Sequence, residues 1–285
     1  MLFNLNDIWE KRSIDMKFIE KLQKIQRKNN SLLCVGLDID AEKIPSFLFT
    51  SSETPFIDFN KVVIEQTKDF VCAYKLNLAF YEALGRNGYE LLEKTLSIIP
   101  KDIIIILDGK RNDIGNTAKK YAQACYESLH ADAVTVNPYL GIDGVKPFLE
   151  YKDKCSIILC RTSNNSASDF QNMDCSGKPL YIHVAEKINK WNEIGQCGVV
   201  VGATYPEELK EIRNILSDDI PFLLPGIGKQ GGDVEKTVRY GTNSKGEGAI
   251  INSSRGIIYA GSDKLYADDI RKAASSLNKT INEYR

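Results

Sequence analysis

The chain has 285 residues, of which 43% are hydrophobic, and this size suits one large α/β barrel or two small domains. The formal net charge is −1 and no long run of like charge occurs, which argues against nucleic acid and anionic membranes as partners. With only two histidines, a histidine-built metal site or a Ser-His-Asp triad is not expected.

The predicted elements begin with an amphipathic helix over Phe18–Lys28. Short apolar runs then predict eight strands, which are Leu32–Leu37, Val71–Leu76, Ile103–Leu107, Ala133–Asn137, Ser156–Cys160, Gly198–Val201, Pro221–Leu224 and Ala249–Asn252. Helical patterns separate them, near Phe59–Asp69, at Tyr81–Ile98, up to about Leu129, at Tyr181–Trp191, at Pro206–Leu216 and from about Leu265. A segment rich in Ser, Asn and Asp, Arg161–Lys178, follows the fifth strand and is predicted to be a long active-site loop.

This alternation of strands and helices predicts an α/β fold, a (β/α)₈ TIM barrel, rather than an open doubly wound sheet. No composition break divides the chain, so we expect a single domain over residues 1–285, with a helical extension over residues 1–30 and a closing helix over residues 265–285. Polar residues recur at or just after many strand ends, at Asp38, Lys75, Asp108, Asn137, Ser163, 225–230 and Arg255. In a barrel, these strand ends meet at a single mouth.

The seven cysteines are odd in number, contain no C-x-x-C pair and lie in several cases inside apolar runs. This pattern is typical of buried, reduced thiols rather than of disulfides. The first residues carry charge too early for a secretory signal, and no apolar run approaches membrane-spanning length. We therefore expect a cytoplasmic protein without membrane contact.

The third strand opens into a dense group of charges, in the stretch IIIILDGKRNDIGNT over residues 103–117. If the strand persists, Asp108 and Lys110 are two apart and face the same way. Asp113 lies where a helix would start. The ordinary interpretation is an N-cap aspartate beside a solvated lysine, or a buried ion-pair network that only stabilises the barrel. The D-x-K-x-x-D spacing favours a functional site instead.

Two loops near the end of the chain predict an anion site. They are PGIGKQGGD over residues 225–233 and NSSRG over residues 252–256, after strands seven and eight. Barrels often hold a phosphate there, because glycines let backbone N–H groups approach an anion and Arg255 can bind phosphate oxygens in pairs. The G-x-G-x-x-G match in the first loop is discounted as a dinucleotide motif, because it follows seven strands instead of opening the first β-α-β unit.

With these motifs in strand order, the chain resembles the orotidine 5′-phosphate decarboxylases in their longer bacterial form. The matching segments are VGLD at 35–38, AYKLN at 73–77, LDGKRNDIGNTA at 107–118, LCRTSN at 159–164, LPGIGKQGGD at 224–233 and INSSRG at 251–256. The resemblance implies decarboxylation of orotidine 5′-phosphate to UMP, the last step of de novo pyrimidine nucleotide synthesis. It also implies that no cofactor and no metal is used, and that a homodimer shares its active sites.

Residue by residue, the resemblance implies catalytic roles for Lys75, Asp108, Lys110 and Asp113. The family's positions lent by the neighbouring subunit fall on Asp113, Ile114 and Thr117. Its substrate-binding positions within the subunit fall on the ribose aspartate Asp38, the pyrimidine-contacting Ser163, Pro225, the loop glutamine Gln230 and the phosphate arginine Arg255. Two departures stand out: Asn112 replaces an expected glycine, and Asn165-Ser166 replaces an expected Pro-Gly.

The residue types suit a decarboxylation that leaves a carbanion at C6 of the pyrimidine without an electron sink. A lysine between two carboxylates stays charged, so Lys110 is predicted to protonate C6. Asp108 would lie near the substrate carboxylate and disfavour the ground state. Lys75 would keep the carboxylates ionised by completing an alternating array of charges.

Two alternatives remain open at this point. A metal-dependent branch on the same scaffold, the sugar-phosphate decarboxylases and aldolases, shares the D-x-K-x-x-D core, but Lys75 stands where that branch has an acidic metal-binding residue. A non-catalytic nucleotide-binding barrel is the second alternative, and intact Asp108 and Lys110 argue against it.

Overall fold

A computed structural model, which describes residues 16–227 and 233–285, has eight parallel strands closed into a barrel. The strands are β1 (Leu33–Gly36), β2 (Ala73–Asn77), β3 (Ile104–Arg111), β4 (Ala133–Val136), β5 (Cys155–Arg161), β6 (Cys197–Val201), β7 (Phe222–Pro225) and β8 (Ala249–Ser253). Neighbours in sequence pair with each other, and β1 closes the ring against β8 with Leu33 opposite Ile251. The predicted (β/α)₈ barrel is confirmed.

Helices alternate with these strands around the outside of the barrel. They span Phe18–Lys28, Leu48–Ser51, Pro55–Thr67, Leu78–Glu82, Arg86–Ile98, Gly115–Gln123, Ile142–Leu149, Leu180–Trp191, Pro206–Ile215, Val234–Gly241, Arg255–Ile258 and Tyr266–Glu283. A π-helical turn at Ala124–Ser128, a 3₁₀ turn at Asn165–Asp169 and a hairpin of Asp174–Cys175 with Lys178–Pro179 complete the described elements. In that part of the chain, no helix is long and apolar enough to cross a membrane.

Three of the longer helices differ from the predicted pattern, and one of them, Ile142–Leu149 between β4 and β5, was not predicted. The single helix expected over Tyr81–Ile98 is interrupted, because Gly85 adopts a left-handed backbone conformation with φ of +61°. The helix Val234–Gly241 was not predicted. It begins at Asp233, whose side chain accepts a hydrogen bond from the Lys236 N–H at 3.0 Å.

The strands consist of β-branched and other apolar residues because they are buried on both faces. Residues 104–107 of β3, for example, are entirely inaccessible to solvent. The helix Phe18–Lys28 lies at the amino ends of the strands, where the buried Gln26 donates to Ala249 O at 2.7 Å and accepts from Gly248 N at 3.1 Å. This contact closes the end of the barrel opposite the mouth.

The cysteines agree with the predicted reduced state. All seven are free thiols; six are buried and Cys175 is half-buried. Burial raises the pKa of Cys72 to about 12 and that of Cys125 to about 11, so these thiols stay protonated at neutral pH. They act as small apolar side chains in the core.

Candidate active site

Four charged side chains of alternating sign meet at the carboxyl ends of β1, β2 and β3. Lys75 Nζ lies 3.6 Å from Asp38 Oδ1 and 3.2 Å from Asp108 Oδ2. Lys110 Nζ donates to the other oxygen of Asp108 at 2.8 Å. The strand register produces this row, because Lys75 lies opposite Gly36 and Asp108 opposite Asn77. We call Asp38, Lys75, Asp108 and Lys110 the charged array.

The array is buried at its centre and open at one end. The Lys75 and Asp108 side chains are 6% and 12% exposed, whereas the Lys110 side chain is 50% exposed. Lys110 is therefore the member whose ammonium group can reach a ligand in the mouth of the barrel. The inner three charges are in place to set the electrostatic potential around that group.

A bulge in β3 and one threonine of β4 determine the conformation of this region. Lys110 has φ of +44°, a left-handed conformation that is unfavourable by about 1–3 kcal/mol for a residue with a side chain. Its N–H donates to Thr135 Oγ1 at 2.9 Å, and the Thr135 hydroxyl donates to Asp108 Oδ1 at 2.9 Å. Thr135 thus holds both the strained backbone and the carboxylate in place. Asn112 does not adopt a left-handed conformation, so this turn places its strain on Lys110 instead.

The charges of the array stabilise one another. Burial alone would raise the pKa of Asp108, but Lys75, Lys110 and the Thr135 hydroxyl more than offset it, and the pKa lies below the usual value. Burial opposes the charge on Lys75, and the carboxylates of Asp38 and Asp108 outweigh it, so the pKa of Lys75 is raised. Both groups are therefore ionised at neutral pH.

The three residues expected to reach the neighbouring subunit, Asp113, Ile114 and Thr117, lie outside the array. The Asp113 carboxylate accepts from the Ile114 N–H at 2.8 Å and makes no ion pair with Lys110 of its own chain. Ile114 is 54% exposed although it is a large apolar residue, and Thr117 is exposed as well. The helix was expected to start at Asp113, but it begins two residues later, at Gly115.

A pocket of about 170 Å³ lies on the other side of the mouth, between β7, β8 and the first β-α loop. Asp38, Pro225 and Arg255 line it together with several glycines and serines. Arg255 is exposed and forms no ion pair with any described residue. Because Asp38 belongs to both the pocket and the array, a ligand in the pocket would extend towards Lys75 and Asp108.

Close backbone contacts shape this pocket. A Cβ atom on Gly36 would lie 1.9 Å from Ser254 Oγ, so only glycine allows β1 to approach the loop after β8. Ser163, in the loop after β5, also lines the pocket. The replacement Asn165-Ser166 in that loop begins the 3₁₀ turn Asn165–Asp169. Gln230, the remaining predicted substrate contact, lies outside the described residues.

Two residues of the site were not singled out in the sequence. Thr135 is a polar residue inside the apolar strand β4, the same signal that identified Lys75 in β2. Asn252 lines the pocket and is nearly buried, and its Oδ1 atom has no hydrogen-bond partner among the described residues. An unpaired buried acceptor at a pocket wall is suited to a hydrogen bond from a ligand. Across residues 16–227 and 233–285, no group of three or more His, Cys, Asp or Glu side chains is arranged to hold a metal ion.

Comparison with known proteins agrees with this geometry. Residues 31–270 match the family model described as the orotidine 5′-phosphate decarboxylase / HUMPS family. The orotidine 5′-phosphate decarboxylase of Dehalococcoides mccartyi is 48% identical over 95% of this chain and 99% of its own length. The enzyme of the same name from Ralstonia nicotianae is 46% identical over 95% of this chain and its full length. The solved structure of Leishmania donovani OMP decarboxylase superposes with a TM-score of 0.82 at 36% identity, covering 94% of this chain and 99% of that one.

Proposed function

The chain belongs to the orotidine 5′-phosphate decarboxylase / HUMPS family, and from this premise we propose how its side chains divide the reaction between them. The protein is a carboxy-lyase of pyrimidine biosynthesis, which converts orotidine 5′-phosphate to UMP and CO₂. The observation that carries the assignment of roles is the alternating charged array with one exposed lysine at its end.

Lys110 is the proton donor in this proposal. When the bond between C6 and the carboxyl carbon breaks, the electron pair remains on C6 and CO₂ leaves. A proton from the Lys110 ammonium then forms the new C6–H bond, and the lysine regains a proton from solvent. The support is geometric, because Lys110 is the half-exposed end of the array and Asp108 holds its ammonium group at 2.8 Å.

Asp108 and Lys75 supply the electrostatic environment. Asp108 is buried and ionised, so a substrate carboxylate placed beside it is repelled in the ground state and relieved as CO₂ departs. Lys75 lies between Asp38 and Asp108 and stabilises both carboxylates without being free to move. The array is therefore prepared before the substrate binds, which is how electrostatic catalysis avoids reorganisation during the reaction.

The pocket between β7 and β8 binds the rest of the substrate. We assign the phosphate to Arg255, the ribose hydroxyls to Asp38 and the pyrimidine to Ser163, with Pro225 lining the wall. Arg255 has no ionic partner among the described residues, and a guanidinium can bind phosphate oxygens in pairs. Asp38 is shared by the pocket and the array, so binding in the pocket orients the base towards Lys110.

A UMP-release assay tests this function against the two alternatives. Purified protein incubated with orotidine 5′-phosphate should form UMP and CO₂ at an unchanged rate in the presence of EDTA. Activity that EDTA abolishes and magnesium restores would favour the metal-dependent branch. Tight UMP binding without turnover would favour a nucleotide-binding barrel.

We also propose a homodimer in which Asp113, Ile114 and Thr117 complete the partner's site. Two observations support this proposal. The Asp113 carboxylate does not pair with Lys110 of its own chain, and the neighbouring Ile114 is exposed. Lys110→Ala and Asp113→Ala should each be nearly inactive alone. After subunit exchange between equal amounts, about half of the dimers are mixed and roughly a quarter of all sites become wild type, so activity should return.

A matched mixture controls the dimer experiment. Asp108→Asn and Lys110→Ala both alter residues of the same chain's array, so no mixed dimer contains an intact site and no activity should return. Recovery in this control, or none in the first mixture although subunits exchange, would contradict the proposed sharing of sites.

The single-domain organisation over residues 1–285 and the cytoplasmic location remain proposals. The domain assignment is supported by the pairing of β1 with β8, which joins both ends of the chain in one sheet. One cooperative unfolding transition is expected, and two separate transitions would contradict it. The location is supported by seven free thiols, and cell fractionation checks it.

A further inference from the structure

Arg161 is a buried cation that the mechanism above does not use. It lies at the end of β5, is 2% exposed and is among the largest fully buried side chains. Its Nε atom pairs with the Glu208 carboxylate, and its guanidinium stacks 3.9 Å from the centre of the Tyr205 ring. Burying a charge is unfavourable unless every donor is engaged, so the contacts of the remaining nitrogens indicate what this residue holds.

Those contacts lead to the loop after β5. Arg161 Nη1 donates to Thr162 O at 3.1 Å and to Gln171 Oε1 at 3.4 Å. Gln171 in turn accepts from the Thr162 N–H at 2.9 Å and donates to Thr162 Oγ1 at 2.8 Å. The backbone and side chain of Thr162 are therefore both held, by one buried arginine and one glutamine. We call Arg161 and Gln171 the clamp on Thr162.

Ser163 is the next residue, and it has little freedom on its other side. A Cβ atom on Gly202 would lie 2.9 Å from the N, Cα and Cβ atoms of Ser163, so the serine packs directly on the end of β6. The Gly202 N–H donates to Arg161 O at 2.8 Å, which fixes this contact to the same arginine. Ser163 then lines the pocket together with Asp38 and Arg255.

We propose that Arg161 and Gln171 are positioning residues that hold Ser163 against the pyrimidine of the substrate. The proposal rests on the proposed role of Ser163 as the residue that contacts the base. Neither positioning residue touches the substrate. Their effect on the reaction is transmitted through Thr162 and ends at the Ser163 side chain.

A double-mutant cycle tests this transmission. Gln171→Ala and Ser163→Ala should each lower kcat/KM for orotidine 5′-phosphate about 10- to 100-fold, the loss expected when a substrate contact is displaced by about 1 Å. The double variant should stay within about threefold of Ser163→Ala alone, because the clamp has nothing left to position. Losses that multiply would overturn the inference and leave the decarboxylase function intact. An unaffected Ser163→Ala variant would overturn both the role of Ser163 and the inference, whereas a wild-type protein that forms no UMP would overturn the function itself.

Arg213 provides a matched control for Arg161. It also stacks on an aromatic ring, 4.0 Å from the centre of Phe222, and donates to the backbone oxygens of Ile220 at 3.2 Å and Ser217 at 2.7 Å. It lies in the helix Pro206–Ile215 and stacks on the first residue of β7, at the amino end of that strand, whereas the mouth is at the carboxyl ends. Arg161→Lys and Arg213→Lys should both lower thermal stability, but only Arg161→Lys should lower kcat/KM, about tenfold or more. Equal activity in the two folded variants would show that Arg161 only stabilises the fold, and would overturn the proposal.

Binding of fragments gives a readout that does not depend on turnover. Gln171→Ala should weaken UMP binding about tenfold and leave the affinity for ribose 5-phosphate, which has no base, within about twofold of wild type. An equal loss for both ligands would mean that the clamp acts on the whole pocket instead of on Ser163, and would overturn the proposal.

Discussion

The two sides of the barrel mouth differ in how their charges are compensated. On the side of β1–β3, Asp38, Lys75 and Asp108 are nearly buried and each lies within ion-pair distance of an opposite charge. On the side of β7 and β8, Arg255 is exposed and has no ionic partner among the described residues. On the first side the opposite charges compensate one another without a ligand. On the second side the charge of Arg255 is available to an anionic ligand.

This difference separates two sources of catalytic free energy. In the proposed mechanism, the charged array acts on the reacting carbon through charges whose positions were established when the protein folded. In the same proposal, the pocket contributes binding energy from the phosphate, which does not react, and such energy can be used to hold the base in position. Variants of the array should therefore impair the chemical step itself, and a variant of Arg255 should impair it only for substrates that carry the phosphate.

The largest effect is expected at Lys110. Lys110→Ala removes the proton donor and the exposed end of the array, and it should lower the rate of decarboxylation on the order of 10³-fold or more. The fold and UMP binding should be retained, because Asp38, Lys75 and Asp108 still compensate one another. Single-turnover measurements with saturating substrate check this. A rate within about tenfold of wild type would exclude Lys110 as the acid.

A somewhat smaller and more selective effect is expected at Arg255. Arg255→Ala should lower kcat/KM for orotidine 5′-phosphate about 10²- to 10³-fold and leave the slow reaction of orotidine without phosphate nearly unchanged. Arg239→Ala is the matched control, because Arg239 lies in the nearby helix Val234–Gly241 and is already paired with Glu235 at 2.9 Å. An equal loss on both substrates would place Arg255 outside the phosphate site.

A further effect is expected at Thr135, which supports the array through hydrogen bonds without carrying a charge. Thr135→Val keeps the shape but removes the bonds to Asp108 Oδ1 and Lys110 N, so kcat should fall about tenfold. Thr67→Val removes hydrogen bonds at an equally buried threonine, to Val63 O and Tyr74 Oη at 2.7 Å each, and should lower stability without changing kcat. Steady-state kinetics and thermal unfolding of both variants decide whether the effect is specific to the array.

The smallest effect concerns stability and its dependence on pH. The folded-state pKa of Asp108 is lowered, so its ionisation stabilises the fold above the unfolded value of about 4 and the gain is lost as pH falls below it. Asp108→Asn should reduce the free energy of unfolding by about 1 kcal/mol at pH 7, because Lys75 keeps Asp38 as a partner. In urea titrations, this difference should shrink below about pH 4. A difference that grows on acidification would contradict the assigned sign.

Much of this architecture could be predicted because the relevant signals are local. Short apolar runs predicted all eight strands, since a strand covered on both faces has few polar positions. The charges at the carboxyl end of β3 stood out for the same reason, because Asp108 and Lys110 come just after the apolar residues Ile104–Leu107 of the same strand. A polar residue in such a setting is conspicuous in the sequence alone.

The remaining features depend on contacts between distant segments. Thr135 matters because β4 pairs with β3 across a bulge, and the left-handed conformation of Lys110 results from that pairing. The clamp on Thr162 requires Gln171, which lies in a loop with no periodic pattern. Gly85 interrupts a helix that remains amphipathic on both sides of the break, so periodicity alone could not locate it.

The pairing of β1 with β8 has a consequence for the folding of the protein during translation. Asp38 is translated more than 200 residues before Arg255, yet they line one pocket, and Gly36 packs against Ser254. At about 5–20 residues per second, the nascent chain carries an unpaired edge on β1 for on the order of ten seconds or more before β8 is available. If the pocket binds the phosphate as proposed, this capacity arises only after β8 has been synthesised, and a chain terminated before β8 cannot form the site.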